Sequence, residues 1–290
     1  MAIKPPDNTL SSTINWGARY GVSVDHAGLY NNSTVVSRAE PSRALDTTVG
    51  AAAVGLRVSN LAVVNAASFA TSAVSPSEMS RCSATTWGLS KLATAQFDSS
   101  GQELSNSVAG MQVLFDNDPA PIVYRSAGQA SVIVPYSVQG KTSVGVFPSY
   151  NGLLQDVGRI NVAASAPGIF TADGKQAAAL NQDTSYNSAS NPAQRGSTVV
   201  LFAPGEGQTS PASLDGQIAN GVYPKPVLPV SVTIGGQPAS IAYYGAAPGL
   251  TAGLMQLNVV VPQNIPAVNE AVLLTVGTAS SQAGVTIAVN

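Results

Sequence analysis

Apolar residues along this chain gather in short runs separated by Gly, Pro, Asn and Asp. The clearest run is STVVLFAPG at 197–205. A run of β-branched and aromatic residues closed by Pro-Gly predicts a buried strand followed by a turn. It lies within a stretch, 166–211, that reads as the joint between two β-rich halves, and the middle of that stretch is the polar run QDTSYNSASNP. Before the joint, strands are predicted at LAVVN (61–65), VAGMQVLF (108–115), IVYRSAG (122–128), ASVIVPYSV (130–138) and KTSVGVFPS (141–149), and LLQDVGRINVAAS (153–165) closes the half. After the joint come PVSVTIG (229–235), SIAYYGAAP (240–248), GLMQLNVVVP (253–262), EAVLLTVGT (270–278) and GVTIAVN (284–290). Short, regularly spaced strands divided by turn signals predict β-sandwiches.

The two halves can be laid on each other. MQVLFDNDPAPIVYRSAG matches VSVTIGGQPASIAYYGAAPG: a strand, a turn holding Pro119-Ala120 or Pro238-Ala239, then a strand carrying Tyr124 or Tyr243 and Tyr244. QASVIVP matches QLNVVVP, so that Gln129 falls opposite Gln256 and Pro135 opposite Pro262. Asn65 stands as far from Pro76 as Asn181 does from Pro192. The repeat predicts two tandem immunoglobulin-like β-sandwich domains, 61–165 and 166–290, with a short hinge near 164–168. Residues 1–60 form an irregular N-terminal arm with three extended pieces, at 14–16, 20–24 and 34–37. The arm is either a flexible leader or a segment that orders against another chain. Trp16, Tyr20 and Tyr30 argue against pure disorder, which is usually poor in aromatics.

One place breaks the repeat. Where the second half has STVVLFAPG, the first has SEMSRCSATTWG, with Arg81 and hydroxyl residues at positions that should be apolar. The stretch 80–87 is therefore either a divergent edge strand or a gap that another segment fills.

The motifs NAASF, VSPSEM, DPAPIVYRSAGQASVIVPY, APGIFT, AALNQD, NPAQRGSTVVLFAPGEGQTSP, VTIGGQPASIAYYG and LMQLNVVVP together resemble an uncharacterised C-terminal domain family of secreted acidobacterial proteins, of the Solibacter type. The resemblance covers about residues 61–290. It implies tandem Ig-like modules related to the IPT/TIG group, at the ends of large extracellular proteins, and it carries over no catalytic residue. The departure is at 80–87, where the family pattern has an apolar strand ending in Phe-Gly and this chain keeps only Trp87-Gly88.

Composition sharpens this picture. Of 290 residues, 44% are hydrophobic and only 10% charged, against roughly 25% charged in typical soluble proteins. With 27 Gly and 19 Pro, turns are frequent and long helices are not expected. Uncharged polar surfaces suit extracellular or cell-surface proteins, or subunits packed into an assembly. The net charge of -2 and the absence of a basic patch exclude a nucleic-acid partner. The apolar run at 49–64 is too short and too polar for a membrane span. The start, MAIKPPDNTL, lacks the apolar region of a secretory signal. One Cys, Cys82, allows no disulfide within the chain, and one His, His26, all but excludes a metal site built on Cys and His.

Candidate chemistry is thin. His26 lies in the arm, and no GxSxG elbow occurs. Cys82 has no base indicated near it. Asp116-Asn117-Asp118 resembles a fragment of a calcium loop but lacks its remainder, so a hairpin turn is the better reading. Gly205-Glu206-Gly207 has no third Gly and no following helix, so it is not a dinucleotide site. Tyr243-Tyr244 could stack on a sugar, although strand neighbours face opposite sides. Asn31-Asn32-Ser33-Thr34 holds two overlapping sequons, meaningful only where N-glycosylation operates. The expectation is a non-enzymatic extracellular structural or adhesive protein with no cofactor and no metal. Its leading form is a self-assembling subunit, of a filament or surface layer, whose arm adds a strand to a neighbour. The candidate inter-subunit contacts are Ile14, Trp16, Tyr20, Val22, Val24, Val35 and Trp87. The alternative is a monomeric tandem Ig-like module that binds carbohydrate or protein.

Overall fold

A computed structural model describes residues 61–84, 92–155 and 157–290. These are all β, with a single 3-10 turn at Tyr136–Val138 and no α-helix among the described residues. None of them forms a helix long and apolar enough to cross a membrane. The N-terminal half holds β1 (Ala62–Asn65), β2 (Met79–Ser83), β3 (Ala93–Thr94), β4 (Met111–Phe115), β5 (Asp118–Pro119), β6 (Ile122–Ser126), β7 (Gln129–Ile133), β8 (Ser143–Tyr150), β9 (Leu153–Leu154) and β10 (Gly158–Asn161). They make two antiparallel sheets, in the orders β1-β2-β7-β6-β3 and β10-β8-β4-β5, with β9 on β8. One apolar core lies between these sheets: Val63, Cys82, Ala130 and Val132 from the first meet Val113, Phe115, Val144 and Val146 from the second. Strand β4 alternates buried and half-buried positions, the period of two expected when one face meets the core.

The C-terminal half holds β11 (Thr198–Ala203), β12 (Thr209–Ser210), β13 (Lys225–Pro226), β14 (Val230–Ile234), β15 (Gln237–Ala239), β16 (Ile241–Ala246), β17 (Met255–Val260), β18 (Asn269–Val276), β19 (Ala279–Ser280) and β20 (Thr286–Ala288). Its larger sheets run β11-β17-β16 and β15-β14-β18-β19, with β20 also on β18, and β12 pairs β13. Leu201, Met255 and Leu257 meet Val232, Ile234 and Leu274 in a second core. The repeat read from the sequence is visible in the pairing. The segments β4-β5-β6-β7 and β14-β15-β16-β17 pair alike, and even the bulge recurs, between Ile122 and Tyr124 and between Ile241 and Tyr243.

Two expectations are corrected. The sequence places the weak stretch at 80–87 at a sheet edge or in a gap; its residues 85–87 lie outside the described residues. The strand is β2, an inner strand paired with β1 on one side and β7 on the other. Its polar residues are buried with local partners: Ser80 Oγ donates to Glu78 Oε1 at 3.0 Å, and the Arg81 guanidinium lies 4.8 Å from the centre of the Phe69 ring. The short hinge near 164–168 is not free either. A third core joins the halves, in which Met79, Val123 and Ile133 on the outer face of the first sheet meet Val200, Phe202 and Leu254. This is why 199–203 is apolar without alternation. Val199 and Leu201 fill the second core while Val200 and Phe202 fill the third.

Candidate functional site

The most unusual chemistry lies where the two halves meet, on the turn after β11. Gly205 and Gly207 both adopt positive φ, +85° and +77°, and both pass against the joint. A Cβ on Gly205 would stand 1.9 Å from the Ala166 carbonyl oxygen, and one on Gly207 2.2 Å from that of Ala164. Only glycine allows this approach. Backbone bonds fix it: Ala166 N–H donates to Gly205 O at 3.0 Å and Gly168 N–H to Pro204 O at 3.2 Å. Asn65, at the end of β1, donates its side-chain amide to Ala166 O at 2.9 Å.

The two glycines turn Glu206 inward, and it is 1% exposed. Its carboxyl receives the Gly253 N–H, while Oε2 has no hydrogen-bond partner. Burial pushes its pKa from 4.5 up to about 8, because desolvation disfavours the charged form. From the first half, the Tyr136 ring enters the same region. The hydroxyls of Ser77, Thr209 and Ser213 surround its phenol, but none has the geometry of a hydrogen bond to it. Burial first, and Glu206 second, push Tyr136 up to about 12. Ser77 Oγ is likewise buried without a partner. Around this nest the halves are tied by Tyr136 N–H to Asp215 Oδ1 at 2.7 Å and Gln208 Nε2–H to Tyr136 O at 3.1 Å. Backbone bonds from Leu104 N to Gly216 O (2.9 Å) and Ile218 N to Gln102 O (2.8 Å) add to them.

A second buried carboxyl, Glu78, behaves differently. It accepts from Ser75 N at 2.9 Å, Ser75 Oγ at 3.3 Å and Ser80 Oγ at 3.0 Å. Desolvation still dominates and raises it to about 8. Sequence reading singled out neither acid as functional. The available signals were a carboxylate between two glycines at a strand end, and a Glu set among short hydroxyl residues in a chain poor in charge.

The residues singled out from the sequence fare as follows. Ile14, Trp16, Tyr20, Val22, Val24, Val35, Trp87 and His26 lie outside the described residues. Cys82 is buried in the first core, and desolvation pushes its thiol up to about 12. Asp116 is a hairpin residue at φ 55°, accepting from Lys141 Nζ and Gly145 N, each at 2.8 Å. Tyr244 packs on the second core, whereas the Tyr243 hydroxyl donates to Ala246 O at 2.7 Å. Among the described residues, no group of three or more His, Cys, Asp or Glu is placed to hold a metal ion.

No protein-family model matches the chain, and no curated protein matches it in sequence. Among solved structures it is similar to the BSP domain of a biofilm-associated protein, at 9% identity over 80% of this chain with a TM-score of 0.23. The chain spans 29% of that structure's length. It is also similar to the tandem Ig repeats of Dlar, at 12% identity over 75% of this chain and 91% of that one, with a TM-score of 0.18. Scores this low leave the question of function to the molecule itself.

Proposed function

We propose that this chain is a non-enzymatic structural or adhesive protein of the cell exterior, built from two Ig-like modules at 61–165 and 166–290, and that it serves as a self-assembling subunit of a filament or surface layer. The observation that carries the proposal is the third core. Met79, Val123 and Ile133 on one side and Val200, Phe202 and Leu254 on the other turn two sheet pairs into one block. A block resists bending and shear better than beads on a string, which is what a repeating unit of a lattice needs. The surface fits the same role. Only 10% of the residues are charged, so copies can meet without desolvating many ions. The motif resemblance supports an extracellular setting.

In this reading the arm, 1–60, is the donor of a strand to the next subunit, through its pieces around Trp16, Tyr20 and Val35. The slot of β2 is already filled by the chain itself. The acceptor is therefore an outer strand of a sheet, such as β1 or β10. Head-to-tail addition of this kind gives open polymers when the rotation does not close a ring.

The test is sedimentation velocity and negative-stain electron microscopy of the full chain over a wide concentration range, beside a variant lacking residues 1–55. Filaments or sheets from the full chain and monomers from the variant are expected. Polymers of normal length from the variant would sink the arm. A full chain that stays monomeric throughout and binds a glycan array would replace the subunit with a carbohydrate-binding module.

A further inference from the structure

Three buried oxygens without a protein partner sit together at the interface: Glu206 Oε2, the Tyr136 hydroxyl and Ser77 Oγ. Glu206 comes from the C-terminal half, Tyr136 and Ser77 from the N-terminal half. Buried polar groups in folded proteins nearly always have partners. Three exceptions in one place mark a site whose energy depends on protonation.

We propose that this nest is a pH-operated clasp: a neutral Glu206 lets the two halves close on each other, and its ionisation weakens the closed arrangement and lets them part along this face. Each half keeps its own inter-sheet core when they part, so parting is not unfolding.

The groups facing Glu206 leave its charge uncompensated. The Gly253 N–H is the one donor to it. From the N-terminal half it meets Tyr136. From its own half it meets Tyr243, with Tyr223 beyond. Both Tyr136 and Tyr243 are pushed up to about 12 and stay neutral through the relevant range. Lys225 lies past Tyr243, its ammonium 5.1 Å from the centre of the Tyr244 ring. Burial of Glu206, not any charged neighbour, dominates its shift. On the far side of Tyr136, burial raises Asp215, helped by Asp118 and Glu103 facing it. Asp215 therefore acts in the same direction as Glu206.

The sign follows from linkage. Glu206 titrates near 8 when closed and near 4.5 once exposed, so the closed form binds its proton more tightly. Closure is strongest below pH 4.5. It weakens about tenfold per pH unit up to about 8 and is level above. The whole effect is about three-thousandfold in the opening equilibrium, set by the two pKa values.

Hydrogen exchange on the full-length chain tests this, corrected for intrinsic rates. The reporting amides are those bonded across the interface: Tyr136, Leu104 and Ile218. Between pH 5 and pH 8.5 their protection should fall by about a hundredfold or more. Amides within a half, such as Ala120 on Val113 O and Val272 on Val285 O, should hold theirs. Glu206→Gln should flatten the response and Glu78→Gln should not. Small-angle scattering of the unmutated chain reads the same event without a variant, as a larger radius of gyration at pH 8.5 with unchanged strand content by circular dichroism. Equal losses at interface and internal amides, a pH response undiminished in Glu206→Gln, or expansion accompanied by loss of strand signal would each overturn the clasp.

Discussion

Gly253 and Ser77 meet across the interface so closely that a Cβ on Gly253 would stand 2.2 Å from the Ser77 carbonyl oxygen. Both residues hold positive φ, +93° and +60°. Gly253 also gives its N–H to Glu206, so one residue sets the spacing of the halves and supports the buried acid between them. The atom in the way is backbone, which cannot swing aside as a side-chain tip can.

Gly253→Ala is therefore expected to pry the interface open, at a cost of about 3 kcal/mol or more from the strained φ and the clash together. Gly174→Ala is the control. Its φ is +88°, but a Cβ there meets nothing within 4 Å, so only the conformational cost of about 1 kcal/mol remains. Urea unfolding of both variants measures the difference. Equal losses would show that the approach of Gly253 to Ser77 carries no energy of its own.

The third core makes a second prediction. Phe202 lies on the face of β11 that meets the N-terminal half, while its neighbour Leu201 lies on the face that fills the second core. Phe202→Ala should cost about 3–5 kcal/mol and split one calorimetric transition into two. Leu201→Ala should cost about 2–5 kcal/mol and lower the C-terminal half itself. A single unbroken transition in Phe202→Ala would mean that the halves are coupled by something other than this core.

Much of this fold is legible in the sequence, and the misses have a common cause. The run VVLFA at 199–203 reads as buried because it is apolar at every position. The repeat is legible because turn residues and strand tyrosines recur in order. The strand β2 is not legible as an inner strand because Ser80 and Arg81 look like solvent residues. What buries them is distant or conformational: the Glu78 carboxyl turned back to meet Ser80, and the Phe69 ring held at φ 58° beneath Arg81. Glu206 is hidden in the sequence for the same reason. Its two glycines resemble a piece of a dinucleotide site, whereas their use is to let the chain pass beneath Ala164 and Ala166. No local pattern records a contact made by another part of the chain. Periodicity could not separate the hinge from an interface, although an apolar run without alternation was a usable sign that both faces of β11 are covered.

Stability should depend on pH in a direction opposite to that of most proteins. Glu78 and Glu206 each titrate near 8 in the fold and near 4.5 when unfolded. Folding therefore takes up protons between those values, and stability falls as pH rises from about 4.5 to about 8. Each acid contributes on the order of 5 kcal/mol at most across that window. Urea midpoints should be higher at pH 5 than at pH 8.5, and Glu78→Gln and Glu206→Gln should each remove part of the slope. A midpoint that rises towards pH 8.5 would mean that the two acids are ionised in the native fold.

The last prediction concerns Cys82 and tells an intact sheet from a borrowed strand. Cys82 pairs with Val63 on β1 and Ala130 on β7, is fully buried, and has its thiol pushed up to about 12. Only the thiolate reacts with a disulfide reagent, and here both ionisation and access are blocked. The native chain at pH 8 should leave Cys82 unlabelled over hours and should label fully in urea. Because β2 comes from the same chain, protection should not change with protein concentration. If a neighbour supplied this part of the sheet, dilution would expose the thiol and labelling would speed up as subunits separated. Protection that survives dilution to monomer therefore confines any exchange of strands between copies to the outer edges of the sheets.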